Sequence, residues 1–139
     1  MIEQGLQQEI NMVMTEARNR RLEFVTVEHL LLALLNIDEV ISFLRGKRVN
    51  IDELRAELDQ YIDSHTPIIS EDAEIDIVPT VGFQRVLQRS VYQAQSAQKN
   101  SVNAMNVFVS IFSEKESHAV YMLKLNNISR LDVMEGISS

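Results

Sequence analysis

Cysteine is absent from this chain. Disulfides and thiolate metal sites are thereby excluded, and the composition suits a reducing compartment. Proline (2) and glycine (4) are scarce, tryptophan is missing, and aromatic residues make up 6% of the whole. A β fold with many tight turns needs more turn residues than that, so helices are favoured. No apolar run approaches membrane-spanning length. The opening residues, MIEQGLQQEI, lack the basic-then-apolar pattern of a secretion signal. The expectation is a cytoplasmic protein that does not enter a membrane. Positive charge is outweighed, 13 Lys and Arg against 20 Asp and Glu, for a net −7. The basic residues are interspersed with acids, which argues against nucleic acid as a partner.

Motifs of catalysis are missing too. There is no G-x-x-x-x-G-K-[ST] stretch to cradle a nucleotide and no G-x-S-x-G. The three histidines, His29, His65 and His118, form no H-E-x-x-H. Glu28 and His29 are adjacent, so on a helix their side chains point about 100° apart and do not grip one metal. A metallohydrolase built on them would need a distant third ligand that no spacing supplies. His29 is therefore expected to be structural. No catalytic residue, metal or cofactor is implied, and the chain reads as a non-enzymatic domain.

What is present is helical periodicity. The 139 residues are 45% hydrophobic, one domain's worth with a real core. Leu6, Ile10, Val13, Met14 and Ala17 share one face of a first helix that ends around Arg20 to Glu23. Thr26 is the expected N-cap of a second helix, with Glu28 in its first turn, where negative charge suits the helix dipole. Val27, Leu30, Leu31, Leu34 and Leu35 make that helix apolar nearly all round, hence central and buried. Asp38 is expected to cap a third helix, which Gly46 stops. A fourth runs from about Ile51 to Ile62. Residues 64–79, SHTPIISEDAEIDIVP, hold both prolines and four acids and read as a linker without helical period. Thr80 then caps a helix carrying Phe83, Val86, Leu87, Ser90, Val91 and Ala94. Asn103 caps the next, with Val107, Phe108, Ile111 and Phe112 inside. A seventh holds Ala119, Val120, Met122 and Leu123, and Ser129 with Asp132 forms a capping box for the last.

The two halves match at an offset of 77 without gaps: Leu6 falls on Phe83, Ile10 on Leu87, Val25 on Val102, Leu34 on Ile111, Ile51 on Ile128 and Leu54 on Leu131. The reading is an all-α domain of about eight helices, a pseudo-twofold duplication of a four-helix unit. Its parts are repeat one (1–63), an acidic linker (64–79) and repeat two (80–139). A duplicated fold places a groove at the seam of its halves, a favoured binding place.

Four stretches, EFVTVEHLLLALL, PTVGFQRVLQRSVYQAQS, VFVSIFSEKESHAVYMLK and ISRLDVMEGIS, resemble the Clp N-domain family over essentially the whole chain. FQRVLQR and SRLDV are nearest the ClpA type within it. The resemblance implies a mobile domain at the rim of a ClpA-type AAA+ unfoldase hexamer that feeds the ClpP protease. It implies docking of the adaptor ClpS, which delivers N-end rule substrates, with protein substrates touched directly as well. The ATPase modules would lie outside this chain.

By the same resemblance the adaptor-binding residues are Glu23, Glu28, Thr80, Gln84 and Arg85, with Arg89 and Arg130 affecting peptide handling. Glu23 closing one helix and Glu28 opening the next would bring both to solvent at one edge. Each has a plainer reading beside it. Glu28 and Thr80 also serve as helix-start residues. Arg85 and Arg89, spaced i, i+4, repel mildly and ask for an acidic partner, inside the domain or outside it. Arg130 is equally suited to an internal salt bridge. The 6 Met are read as core filler. Direct binding of unfolded or hydrophobic segments at the repeat seam is the alternative function.

Overall fold

Eight helices carry the computed structural model, which describes residues 1–74 and 76–138. Ile75 of the expected linker and Ser139 of the expected second repeat lie outside the described residues. The first half holds α1 (Gln4–Asn19), strand β1 (Phe24–Val25), α2 (Val27–Leu34), α3 (Asp38–Gly46) and α4 (Ile51–His65). The second holds β2 (Val78–Pro79), α5 (Val81–Ser96), α6 (Ala104–Ile111), α7 (His118–Leu125) and α8 (Arg130–Ser138).

The two apolar helices, α2 and α6, form the centre and touch each other. Leu30, Leu31, Leu34 and Leu35 are all but fully buried, as are Phe108 and Ile111. Each such side chain stabilises the fold by roughly 1.5–3 kcal/mol. The remaining helices pack around this pair in matching ways. α1 lies against α2 as α5 lies against α6, α4 backs α2 as α8 backs α6, and α7 crosses to α2 as α3 crosses to α6.

The duplication extends to single hydrogen bonds between the halves. β1 pairs in parallel with β2, Phe24 opposite Val78 and Val25 opposite Pro79. Ile2, ahead of α1, bridges Val102, ahead of α6, in the same parallel sense. Thr80 N–H donates to Val25 O at 3.0 Å, and Glu3 N–H donates to Val102 O at 2.9 Å. Each half's leading segment is thus held by the other half.

The ungapped register requires correction in the last two helices. Val49 N–H returns to Leu44 O at 3.0 Å, and Ile128 N–H returns to Leu123 O at 2.9 Å. Asn50 caps α4 by accepting from Glu53 N–H, and Ser129 caps α8 by accepting from Asp132 N–H. These equivalences, 44 with 123, 49 with 128 and 50 with 129, have an offset of 79. The second half therefore carries two extra residues in the connection after α6. Leu54, nearly fully buried, matches buried Val133 and not Leu131, which is 63% exposed.

Helix ends depart from expectation in three places. α4 continues three residues beyond Ile62, with Ser64 Oγ donating to Gln60 O at 2.9 Å and Thr66 N–H to Ile62 O at 3.0 Å. Asp38 is the first residue of α3, not its cap, which is Ile37 without a side-chain bond. Gly46 is still helical; the left-handed turn falls on Arg48 at φ 62°. Arg21, Gln98 and Asn127 play the same part after α1, α5 and α7 at φ 56–60°. Each carries the strain of a side chain in that region, about 1–2 kcal/mol, and lets the next N–H reach back into the helix.

The acidic linker is strapped to the first half. Glu23 N–H donates to Pro67 O at 2.8 Å and Ile69 N–H to Arg21 O at 2.7 Å. The Arg21 guanidinium holds the Ile69 and Ala73 carbonyls, each at 3.3 Å. Arg18 pairs with Asp76 at 3.0 Å.

Candidate functional site

The β1–β2 ladder assembles one edge of the molecule. Glu23 stands just before β1, with its N–H on Pro67 and its C=O accepting from Val78 N–H at 3.0 Å. Its backbone is fixed on both sides while its side chain stays half-buried. Thr80 caps α5, Oγ1 accepting from Phe83 N–H at 3.2 Å, and Gln84 Nε2 donates to Pro79 O at 3.2 Å. Glu23, Thr80 and Gln84 are therefore brought together. Among them stand Val78 and Val81, 46% and 66% exposed. Sequence reading missed both valines. For Val81 the available signal was its place just after the Thr80 cap, since residues in a first helical turn readily remain in solvent; Val78, in β2, carried none.

Glu28 does not reach solvent at this edge, contrary to the sequence expectation. It is buried, and its Oε2 accepts from Ala119 N–H at 3.0 Å. A carboxylate of the first half thus sits on the N-terminus of α7 in the second half, where helix dipole and unpaired N–H groups favour it. Ser117 Oγ completes that end by accepting from Val120 N–H at 3.2 Å. His29 turns the other way. Thr26 N–H donates to its Nδ1 at 3.0 Å, in the position a Glu usually takes in a capping box. Asn103 N–H donates to Asn106 Oδ1 at 3.0 Å, the same device at the same place in the second half. Burial, with help from Arg20, lowers the His29 pKa to about 4, so the ring is neutral at pH 7.

The acidic partner that Arg85 and Arg89 call for is internal. Arg85 grips Glu114 with two bonds, Nε to Oε2 at 2.9 Å and Nη2 to Oε1 at 2.7 Å. Arg85, and more weakly Arg89, hold the Glu114 carboxyl below its usual value. Gly82 makes room: an added methyl would stand 3.0 Å from Glu114 Oε1 and 3.1 Å from Val27. Arg85, the residue after Gln84, keeps half its side chain exposed. Arg130 opens α8 and lines a groove with Lys115, Lys124 and Ile128. The methionines divide. Met105 and Met122 are buried, whereas Met12 is 63% exposed.

A groove does lie at the repeat seam. Between α4 and α7 it has a volume of about 320 Å³ and a floor of stacked rings. Tyr61 lies parallel to His118 at 3.8 Å and against His65 at 4.1 Å. Leu125, 62% exposed, forms part of its wall. Across the twofold, α8 closes on α3: Gly136 sits where an added methyl would come within 2.8 Å of the Phe43 ring. The residue equivalent to Gly136 is Glu57, which lines the open groove.

A duplicated all-α domain with a ladder edge and a groove at the seam of its halves is the class that fold and geometry define. The chain belongs to the Clp repeat (R) N-terminal domain family, whose model matches residues 1–126. A ClpA homolog protein from Fuscovulum blasticum is 35% identical over 134 residues, which is 96% of this chain. The chain spans 17% of that relative's length. The Hsp104 N-terminal domain from Candida albicans superposes with a TM-score of 0.81 at 12% identity, over 97% of this chain and 87% of that one. A ClpV N-domain solved in complex with a VipB peptide gives 0.71 at 15% identity, over 95% and 81%. No helix among the described residues is long and apolar enough to cross a membrane.

Proposed function

We propose that this domain is the protein-interaction module of a ClpA-type ATP-dependent unfoldase and that it docks the ClpS adaptor for N-end rule delivery. The docking surface is the edge of Glu23, Thr80, Gln84 and Arg85, with Val78 and Val81 as its apolar contacts. Glu28 holds this edge from beneath by tying α2 to α7. The observation that carries the reading is the backbone clamp on Glu23: Pro67 and Val78 fix the backbone of an acidic residue beside two exposed valines. A preordered surface of that kind binds without spending affinity on loop ordering. The charges set orientation and association rate, and the valines supply area. The remainder of the polypeptide would form the ATPase hexamer and engage ClpP, in the cytoplasm. The reading is tested by calorimetric titration of the chain with purified ClpS at two salt concentrations. One-to-one binding, weaker at high salt, supports it; no detectable heat at either overturns it.

The seam groove favours a second reading, direct binding of unfolded or hydrophobic substrate segments. Its stacked rings, Tyr121 and Leu125 offer apolar area that the equivalent α3–α8 contact closes. The complex of a relative's N-domain with a peptide lends this reading support. Binding of an unfolded peptide without adaptor, lost in Tyr61→Ala, is its expected outcome; peptide binding untouched by that change contradicts it.

A further inference from the structure

Between α1, α2 and α4 lies a pocket of about 200 Å³. Val13, Ala17 and Leu32 give it apolar walls, and His29 is part of its lining. His29 is only 3% exposed, and its Nδ1 is held by Thr26 N–H, so the opposite edge of the ring faces the pocket. A backbone N–H can only donate, so Nδ1 is the bare nitrogen and Nε2 carries the proton. That buried Nε2–H meets no acceptor among the described residues. Buried donors are rarely left so, and one set at the wall of an apolar pocket is placed to orient a ligand.

Four charged residues also line the pocket, Glu16, Arg20, Arg55 and Asp59. The arginines are already engaged. Arg20 pairs with Asp63, and Arg55 pairs with Asp52 and donates to Leu35 O at 3.0 Å. Glu16 and Asp59 have no ion pair and no side-chain hydrogen bond among the described residues. Each stands four residues before a member of the Arg20–Asp63 pair, Glu16 on α1 and Asp59 on α4. One turn back from the point that joins the two helices, two exposed carboxylates therefore flank one pocket. The fold does not require them. Their equivalents in the second half are Gln93, at the offset of 77, and Ser138, at 79, while Arg20 and Arg55 answer to Ala97 and Met134. The repeat builds the same trio of helices without any of the four charges.

We propose that this pocket binds a small free α-amino acid, its ammonium between Glu16 and Asp59, its carboxylate accepting from His29 Nε2–H and a short apolar side chain against Val13, Ala17 and Leu32. Arg20, close enough to the imidazole to disfavour its protonation, adds attraction for the carboxylate. The space, roughly seven waters' worth, excludes a ligand of drug size. A metal ion is less suited, because Nε2 keeps its proton and has no lone pair to give. No three acids or histidines among the described residues converge to hold one. The inference does not depend on the adaptor reading.

The test titrates the ¹⁵N-labelled 139-residue chain with L-valine and follows the His29 Nε2–H resonance and the backbone amides of α1 and α4 by NMR. The expected result is a saturable shift of that resonance. Isovalerate, which is valine without its ammonium, and isobutylamine, which is valine without its carboxylate, should each bind about tenfold more weakly or worse. The variant Glu16→Gln/Asp59→Asn should lose about tenfold or more in affinity for valine, while the off-pocket control Glu39→Gln/Glu71→Gln should stay within about twofold. If circular dichroism shows the double variant unfolded, the single variants Glu16→Gln and Asp59→Asn replace it, each with a loss of about threefold or more. A Nε2–H resonance that valine does not move overturns the proposal. Isovalerate or isobutylamine binding as tightly as valine overturns it too, as does an equal loss in the off-pocket control.

Discussion

The carboxylate of Glu28 accepts a hydrogen bond from the backbone N–H of Ala119, 91 residues further along the chain, at 3.0 Å. It fastens the central helix of one repeat to a helix start of the other. Removing a buried acceptor leaves that N–H without its side-chain partner, at a cost of about 1–3 kcal/mol. Glu28→Ala should lower stability by that much in urea unfolding, and Glu28→Gln by less, because an amide oxygen still accepts. A Glu28→Ala variant as stable as the parent would show that this tie does not stabilise the fold.

His29 should make the fold acid-sensitive. Its pKa is about 4 in the folded chain against 6.5 for an ordinary histidine, so protonation favours the unfolded state. The stability tied to neutral His29 is complete above pH 6.5, falls as pH drops toward 4, and levels off below that. The loss is on the order of 3 kcal/mol. Asn106 performs the same capping in the second half without titrating. His29→Asn should therefore keep the cap and flatten the pH dependence of unfolding in that window. A slope unchanged by the substitution would assign the sensitivity elsewhere.

Gly136 should tolerate nothing larger. A methyl there would meet the Phe43 ring at 2.8 Å and the Met105 side chain at 3.3 Å. Gly136→Leu overpacks the contact and should cost about 1–3 kcal/mol, opening the α3–α8 side of the seam. Thermal unfolding and protease sensitivity of α8 would check this; full stability in the Leu variant would show that α8 yields freely.

Glu23→Lys should weaken ClpS binding without lowering the melting temperature, since this half-buried side chain stands at the rim while its backbone carries the structural bonds. The corresponding double variant with Glu28→Lys is a poorer probe than the sequence suggested. It would break a buried contact and confuse lost binding with lost structure.

How far the sequence could be read follows from the range of each interaction. Thr80 and Asn103 were legible as caps because a cap is decided within three residues. The leucines of α2 were legible because a helix apolar all round has no solvated place. Glu28 was misread because its partner, Ala119, is remote in sequence, and an acid in a first turn normally faces water. The offset slip escaped notice because helical periodicity forgives it: Leu54 and Leu131 match by residue type, yet one is buried and the other 63% exposed. The β1–β2 ladder is two residues long and has no alternation to betray it. Arg21, Arg48 and Gln98 take left-handed turns usually given to glycine, and nothing in their side chains announces it. Of the candidate site, the resemblance supplied Glu23, Thr80 and Gln84; the exposed valines among them needed coordinates.

The most direct test of the central claim maps the backbone amides of the chain by NMR as unlabelled ClpS is added. The largest shifts are expected at Glu23, Val78, Thr80, Val81 and Gln84, with α8 little changed. Shifts confined to other faces, with these five amides still, would contradict it.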